Sequence, residues 1–390
     1  MLSRSSLLAL YLLMTIQFVG CYLFLGHPYI NLDQFAHGSE RLPFQTRLLL
    51  SPLFRWAQNS PFMLHYAAEL SKNTYFFPKG IGPGGVAQLY LDIPCVIIAG
   101  WVAVRLYQAA SRRQLLGWLV YPLFLVLCTV TFILHAVQNY RFIYDMPSLA
   151  FFALGLYLIY FRKSVLLLAA LFAVSTLNRE TTLLLIPFFV LSACVRIRDH
   201  AADDRSLATP RKTPETGDAA TARSGILSFI SAPASPSVDW KRALAPEVAI
   251  PVLLMLAYWT VWHVFIFHTF RNNPSEYYSR WGFNLYCLRR LRYYPQLLSA
   301  CGYLLPVLVV YRKHIPDAQL RIWLWNIPVW YALIAVWGIL VETRVFGELL
   351  PFIACSGVLI AEEAVVAAMR SRDLRDGAGE EDRTGLTRVA

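Results

Sequence analysis

Long apolar runs constrain this chain more than any other feature of its sequence. A helix needs about 20 mainly apolar residues to cross the hydrocarbon core of a bilayer. Hydrophobic residues make up 57% of the 390 residues and charged residues 15%, against about 45–50% and about 25% in soluble domains. This composition excludes a single water-soluble catalytic domain. We predict an all-α, polytopic transmembrane helix bundle of about ten spans, at 7–26, 85–107, 115–136, 146–161, 164–177, 182–195, 247–268, 297–311, 322–341 and 349–369.

The first apolar run and the charge distribution together predict an orientation. The run Leu7–Gly26 is longer than the apolar core of a typical signal peptide and lacks a clear cleavage site, which favours an uncleaved N-terminal helix. With the N-terminus in the cytoplasm, 22 of the 35 Lys and Arg residues fall inside and 13 outside. We therefore predict an integral protein of the plasma (inner) membrane with both termini cytoplasmic. The net charge of +11 then reflects topology rather than nucleic-acid binding.

Composition shifts divide the chain into four parts. Residues 1–196 form a predicted N-terminal membrane bundle with a long first outer loop at 27–84. Residues 197–246 are rich in Ala, Pro, Ser, Thr and mixed charge, and are predicted to be a disordered cytoplasmic linker. Residues 247–369 hold the C-terminal membrane helices, and 370–390 form a charged cytoplasmic tail.

The connections predicted to face outside are unexpectedly rich in arginine and carboxylates. Guanidinium groups bind phosphate oxygens bidentately, and carboxylates near hydrocarbon are costly unless they are paired or used. This combination indicates a site for a lipid-linked phosphate sugar. The candidate substrate-binding residues are Arg41, Arg47, Asp145, Arg179, Glu180, Glu342, Arg344 and Glu348.

Two other interpretations of these charges remain open. Arginine–carboxylate pairs at helix ends can be purely structural and lock neighbouring helices together. The run Arg289, Arg290 and Arg292 can equally bind the head groups of anionic membrane lipids. Asp92, inside the second predicted span, is either a helix-packing residue or part of a transport pathway.

Metal and redox chemistry receive little support from the sequence. The seven cysteines form no CxxC pair, and the eight histidines are dispersed. We predict no metal site built from histidine. The sequence does not identify a particular cofactor. A site for a divalent cation, held by Asp33 or other outer carboxylates, stays an open alternative.

With these residues in place, the chain resembles the GT-C type of polytopic membrane glycosyltransferase. The resemblance rests on the first helix, the long first outer loop with its acidic residues, and the strings PFQTR (43–47), NRET (178–181) and ETRVFGE (342–348). It implies an all-helical bundle, a polyprenyl-phosphate sugar donor and an active site on the outer face. It further implies an acid of the first outer loop as general base, for which Asp33 is the best match and Glu40 the second.

The leading hypothesis is therefore sugar transfer from a polyprenyl-phosphate donor to an acceptor at the outer face. Arg47, Arg179 and Arg344 would bind the phosphate, while Glu180 and Glu342 would orient these arginines. One alternative is a transporter or flippase of an anionic lipid or glycan, which requires access from both faces. Another is a non-catalytic integral membrane protein, in which the same charges affect only stability.

Overall fold

The fold is almost entirely helical. The computed structural model of the protein describes residues 3–73, 77, 80–134, 140–195, 238–276 and 278–386, and over 373–386 it describes the helical backbone. Five segments in this part of the chain are long and apolar enough to span a membrane: Arg4–Leu25, Pro83–Ala110, Pro246–Thr269, Ala318–Trp337 and Thr343–Arg372. The protein is therefore an integral membrane protein by helix length and composition.

Sixteen α-helices are numbered here in chain order within the described residues. They are α1 (Arg4–Leu25), α2 (Leu32–His37), α3 (Ser51–Asn59), α4 (Pro61–Ser71), α5 (Pro83–Ala110), α6 (Gly117–Phe132), α7 (Asp145–Tyr160), α8 (Val165–Thr176), α9 (Leu185–Cys194), α10 (Pro246–Thr269), α11 (Trp281–Leu288), α12 (Tyr294–Leu298), α13 (Leu304–Val310), α14 (Ala318–Trp323), α15 (Asn326–Trp337) and α16 (Leu350–Leu386). Short 3-10 turns connect several of them. Two strands of two residues each, β1 (His27–Pro28) and β2 (Tyr140–Arg141), pair in parallel.

These five long apolar segments coincide with five of the ten predicted spans. Four of the other predicted spans are apolar helices of 10–17 residues, at Gly117–Phe132, Asp145–Tyr160, Val165–Thr176 and Glu180–Cys194. The predicted span at 297–311 is wrong as a continuous helix, because it breaks between α12 and α13. At the break Cys301, Gly302 and Tyr303 adopt φ angles of 53°, 63° and 63°, which an α-helix does not contain.

Helix α5 lies at the centre of the bundle, where it packs against α1, α6, α7 and α16. Its residues Val96, Ala99, Val102 and Ala103 are fully buried. Small side chains on this surface let neighbouring helices approach closely, as is common in membrane bundles. Gly100 lies directly against the ring of Tyr121 on α6.

Replacing Gly100 with alanine is expected to lower the free energy of unfolding by about 1–3 kcal/mol. The added Cβ would stand 2.4 Å from Cε2 of Tyr121 and 3.1 Å from Cδ1 of Phe124, and both rings are buried. Gly20→Ala in α1 is the matched control, since no atom lies within 4 Å of its added Cβ. Unfolding in mixed detergent micelles measures both variants, and equal stability of the two would contradict the packing described here.

The first connection, predicted as an outer loop at 27–84, has a fold and a core of its own. It contains α2, α3 and α4, and its buried side chains include Phe35, Phe44 and Phe54. Phe142 and Tyr144, from the segment between α6 and α7, complete this core. The pairing of β1 with β2 joins the two segments, which places the N-terminus of α7 beside the first connection.

The two predicted cytoplasmic regions are only partly described. Of the predicted linker 197–246, residues 197–237 lie outside the described residues, and a 3-10 turn covers Trp240–Leu244 before α10 begins at Pro246. The charged tail continues α16 as a helix to Leu386. Residues 387–390 lie outside the described residues.

Glu362 of α16 fastens the α5–α6 connection to the last helix. Its side chain is 3% exposed. It accepts hydrogen bonds from the Tyr107 hydroxyl at 2.9 Å, the Ser111 hydroxyl at 2.6 Å and the Leu115 backbone N–H at 2.6 Å. A single carboxylate thus accepts from one donor of α5 and from two donors of the α5–α6 connection.

Candidate functional site

Four connections that are far apart in sequence bring charged side chains to one place. Arg47 lies between 3-10 turns at Phe44–Thr46 and Leu48–Leu50. Asp145 is the first residue of α7, where a carboxylate is favoured by the helix dipole. Arg179 is in extended conformation just before the turn Glu180–Leu184. The turn Thr343–Leu349, which leads into α16, carries Arg344 and Glu348.

Asp145 is the centre of these charges. Its Oδ1 lies 3.4 Å from Nη1 of Arg179 and 3.9 Å from Nη1 of Arg344, and its Oδ2 accepts a hydrogen bond of 3.0 Å from the Tyr22 hydroxyl of α1. Arg179 also lies 3.3 Å from Oε1 of Glu348. A buried carboxylate is stable only when it is paired and hydrogen-bonded, and Asp145 has both kinds of partner.

Glu342 and Glu180 complete the charge network on its more open side. Arg344 Nη2 lies 2.7 Å from Oε2 of Glu342, and Arg47 Nη2 lies 3.0 Å from Oε2 of Glu180. The Arg47 Nε also donates to Oε2 of Glu180 at 3.1 Å and more weakly to Oε1 at 3.4 Å, so two guanidinium nitrogens meet one carboxylate oxygen in charge-assisted contacts. We call the set Arg47, Asp145, Arg179, Glu180, Glu342, Arg344 and Glu348 the charge network.

Two threonines join the carboxylates to neighbouring turns. Thr46 donates its hydroxyl to Glu180 Oε1 at 3.0 Å, and Thr181 donates to Glu348 Oε1 at 2.6 Å. In addition, the Leu49 backbone N–H donates to the Leu177 carbonyl at 3.0 Å. These bonds fix the first connection against the α8–α9 connection, and so fix Arg47 against Arg179.

Aromatic rings form the floor beneath the guanidinium groups. The Arg344 guanidinium lies 3.7 Å from the ring centroid of Phe142, and the Arg47 guanidinium lies 3.9 Å from that of Tyr144. Arg41 stacks in the same way on Tyr29 at 4.5 Å. Cation–π contacts of this kind hold planar guanidinium groups in a defined orientation.

The charge network is buried at its back and partly open at its front. The side chains of Asp145, Glu348 and Arg179 are 0%, 3% and 9% exposed, whereas those of Arg344 and Glu342 are 17% and 25% exposed. A ligand can therefore reach the Arg344–Glu342 pair before it reaches Asp145.

Burial and nearby charge shift the pKa values of Tyr144 and Glu180. Burial raises the pKa of Tyr144 well above its ordinary value, which keeps the phenol neutral next to Arg47. Burial alone would raise the pKa of Glu180, but the Arg47 guanidinium outweighs it and holds that pKa below the ordinary range. Glu180 is therefore ionised at neutral pH and forms a true ion pair.

Three of the predicted site residues lie outside the charge network. Asp33, the first candidate for the general base, has a side chain that is 77% exposed, and its carboxylate lies 3.6 Å from His37 on the same short helix. Glu40, the second candidate, is buried and accepts from the backbone N–H groups of Asn31 and Arg41. Arg41 lies 3.2 Å from Glu276 instead. These residues brace the first connection.

Some members of the site were not singled out from the sequence. Tyr22, Phe142 and Tyr144 orient the charged groups, yet in the sequence they read as ordinary apolar or interfacial aromatics. The sequence signal that could have identified two such residues is their position next to a predicted site residue. Tyr144 directly precedes Asp145, and Thr46 directly precedes Arg47.

The site contains no arrangement that points to a metal. Among the described residues there is no group of three or more His, Cys, Asp or Glu side chains placed to hold an ion. Arginine-rich surroundings also disfavour a cation, because the guanidinium groups occupy the carboxylate oxygens that would bind it.

Comparison with protein-family models, with curated proteins and with solved structures finds no match to this chain.

Proposed function

We propose that the protein is a membrane glycosyltransferase that moves a sugar from a polyprenyl-phosphate donor to an acceptor at the outer face. The observation that supports this proposal is the convergence of Arg47, Arg179 and Arg344, from three separate connections, at the end of a membrane bundle. Guanidinium groups stabilise the charge that develops on a leaving phosphate. A lipid carrier would hold that phosphate at the membrane surface, near the end of the bundle where the three arginines lie.

Within this proposal the two partly open arginines contact the phosphate first. Arg344 and Arg47 have side chains 17% and 11% exposed, whereas Arg179 is buried behind them and positions Asp145. An incoming phosphate competes with Glu342 for the Arg344 guanidinium. Binding of the donor then releases the Glu342 carboxylate from its ion pair.

The released Glu342 is the better placed general base. A base must lie within hydrogen-bonding reach of the acceptor hydroxyl near the leaving phosphate, and Glu342 touches Arg344 at 2.7 Å whereas Asp33 pairs only with His37 among the described residues. In the proposed step the acceptor oxygen bonds to the anomeric carbon of the sugar. The bond from that carbon to the phosphate oxygen breaks, and the acceptor proton moves to Glu342.

The proposed location is the plasma (inner) membrane, with both termini in the cytoplasm and the charge network outside. The support for this orientation is the excess of Lys and Arg in the connections assigned to the inside. Cysteine accessibility labelling from each side of the membrane tests it independently of catalysis.

An assay in liposomes tests the catalytic proposal. The full-length protein is reconstituted with radiolabelled polyprenyl-phosphate hexoses and pentoses, and release or transfer of the labelled sugar is measured. We expect Arg344→Ala and Glu342→Gln each to reduce the rate by about 100-fold or more. The control Lys72→Ala, at the exposed residue directly after α4, should keep the full rate.

The comparison of Asp33→Asn with Glu342→Gln decides which acid is the base. We expect Asp33→Asn to keep most of the activity, because its carboxylate lies outside the charge network. Full activity of Glu342→Gln together with loss in Asp33→Asn would reverse this assignment. Failure of the unmodified protein to turn over any lipid-phosphate sugar would overturn the proposed function.

One observation favours a second candidate, a structural ion-pair network in a non-catalytic membrane protein. The charge network holds four carboxylates against three guanidinium groups, so every guanidinium group already has a carboxylate partner. This candidate predicts that the variants above change the stability of the protein and nothing else.

A further inference from the structure

A second set of arginines differs from those of the charge network. Arg289, Arg290 and Arg292 are exposed and Arg280 is half-buried, and none of the four forms an ion pair with a carboxylate within the described part of the chain. The sequence explains this, because no Asp or Glu occurs between Glu276 and Asp317. We call the described stretch 278–294 the basic–aromatic segment.

Tyrosines, rather than carboxylates, contact three of these guanidinium groups. Arg290 lies 4.3 Å from the ring centroid of Tyr286. Arg292 donates to the hydroxyls of Tyr286 and Tyr293 at 3.0 Å each. Arg280 stacks on Tyr278 at 3.7 Å. Contacts of this kind orient a guanidinium group and leave its positive charge uncompensated.

The same segment exposes large apolar side chains. Trp281, Phe283 and Leu291 are 52%, 47% and 81% exposed. Leu291 lies between Arg290 and Arg292, so apolar and cationic groups alternate over a few residues. Aromatic and leucine side chains that insert beside arginines are typical of segments lying in the interface of a bilayer.

A buried asparagine fixes this segment to the membrane bundle. Asn284 of α11 donates its side-chain amide to the carbonyls of Ala335 and Gly338 at 2.8 Å each, and its side-chain oxygen accepts from the Leu340 N–H at 2.9 Å. These residues lie at the end of α15. The outward face of α11 is therefore held in place, and Leu340 is two residues before Glu342 of the charge network.

We propose that the basic–aromatic segment is a binding surface for anionic phospholipid. The four uncompensated guanidinium groups bind the phosphate of the head group, while Trp281, Phe283 and Leu291 contact the acyl region. Charge complementarity favours this occupant, because the segment has no carboxylate to repel it. The proposal does not depend on the proposed transferase activity.

Lipid retention measured by native mass spectrometry tests this surface. The full-length protein in an uncharged detergent is titrated with phosphatidylglycerol and, in parallel, with phosphatidylcholine. We expect tighter binding of phosphatidylglycerol, and at least a tenfold loss in the triple variant Arg289→Gln, Arg290→Gln, Arg292→Gln, since each arginine near an anionic surface contributes roughly fivefold. The control removes three exposed cations elsewhere, by Arg113→Gln, Arg312→Gln and Lys313→Gln, and should change binding less than threefold.

Several results would overturn the proposal. They are equal binding of the two lipids, unchanged binding by the triple variant, and displacement of phosphatidylglycerol by millimolar inorganic phosphate, which would identify a free-anion site. If the triple variant does not fold, the triple lysine variant at the same positions and the salt dependence of the unmodified protein replace it. We expect the lysine variant to keep phosphatidylglycerol, and 0.5 M salt to weaken binding at least tenfold.

Discussion

Replacing Arg179 with methionine is expected to lower the free energy of unfolding by about 3–5 kcal/mol. The substitution removes the shared partner of Asp145 and Glu348, whose side chains are 0% and 3% exposed. Glu348 would remain buried with no cation beside it, and Asp145 would keep only Arg344, at 3.9 Å. Burying an unpaired charge is strongly unfavourable. Unfolding by increasing the ionic detergent fraction of mixed micelles measures the change.

Arg280→Met is the matched control for this prediction, since Arg280 is half-buried and its guanidinium contacts the side chain of Tyr278 and no carboxylate among the described residues. It should change stability by less than about 0.5 kcal/mol. Adding Glu348→Gln to Arg179→Met should recover part of the loss, because a neutral amide then replaces the carboxylate that has lost its cation. If Arg179→Met is as stable as Arg280→Met, the ion pairs of the charge network do not support the fold.

Replacing Glu362 with alanine is expected to destabilise the protein by about 3 kcal/mol or more. Hydrogen bonds to a charged group contribute about 1.5–3 kcal/mol each, and Glu362 accepts three of them, from Tyr107, Ser111 and the Leu115 backbone. The substitution would leave these donors without their acceptor in a buried position. The same mixed-micelle unfolding measurement applies.

The adjacent residue provides an unusually close control. Glu363 is half-buried, and its carboxylate acts electrostatically on His314 rather than on the α5–α6 connection, so Glu363→Ala should change the unfolding midpoint much less. Glu362→Gln should fall between the two, because an amide keeps one acceptor oxygen. If Glu362→Ala and Glu363→Ala lower the stability equally, the effect comes from changing helix α16 itself. The hydrogen bonds of Glu362 to the α5–α6 connection would then not be its cause.

The membrane-protein class and many helix positions could be predicted from sequence, because hydrophobic length is a local property. The limits of that argument appear at 297–311, where the apolar run is present but the backbone turns at Cys301, Gly302 and Tyr303. Hydropathy measures transfer into lipid and not backbone conformation. A run of suitable composition can therefore form two short helices that pack against the rest of the bundle.

Much of the charge network could also be anticipated, since Arg47, Arg179 and Arg344 each oppose the expected charge bias of their connections. Their partners could not be derived in the same way. The pairing of Asp145 with both Arg179 and Arg344 depends on how distant connections fold over each other. Asp33 shows the converse: its position in the first connection matched the pattern, but the short helix α2 presents its side chain to the surface.

The distribution of the charge network along the chain has a consequence for the order of synthesis. Arg179 and Asp145 are made early, but Glu348 comes only after most of the 390 residues have left the ribosome. Until then the nascent protein must hold Arg179 in the translocation machinery or bilayer with only one of its two carboxylates. Insertion of the final helix therefore adds a second carboxylate beside Arg179 and a second cation beside Asp145. A chain stalled or truncated before residue 342 would leave Arg179 and Asp145 with only each other as charged partners, at a site that is not yet fully packed.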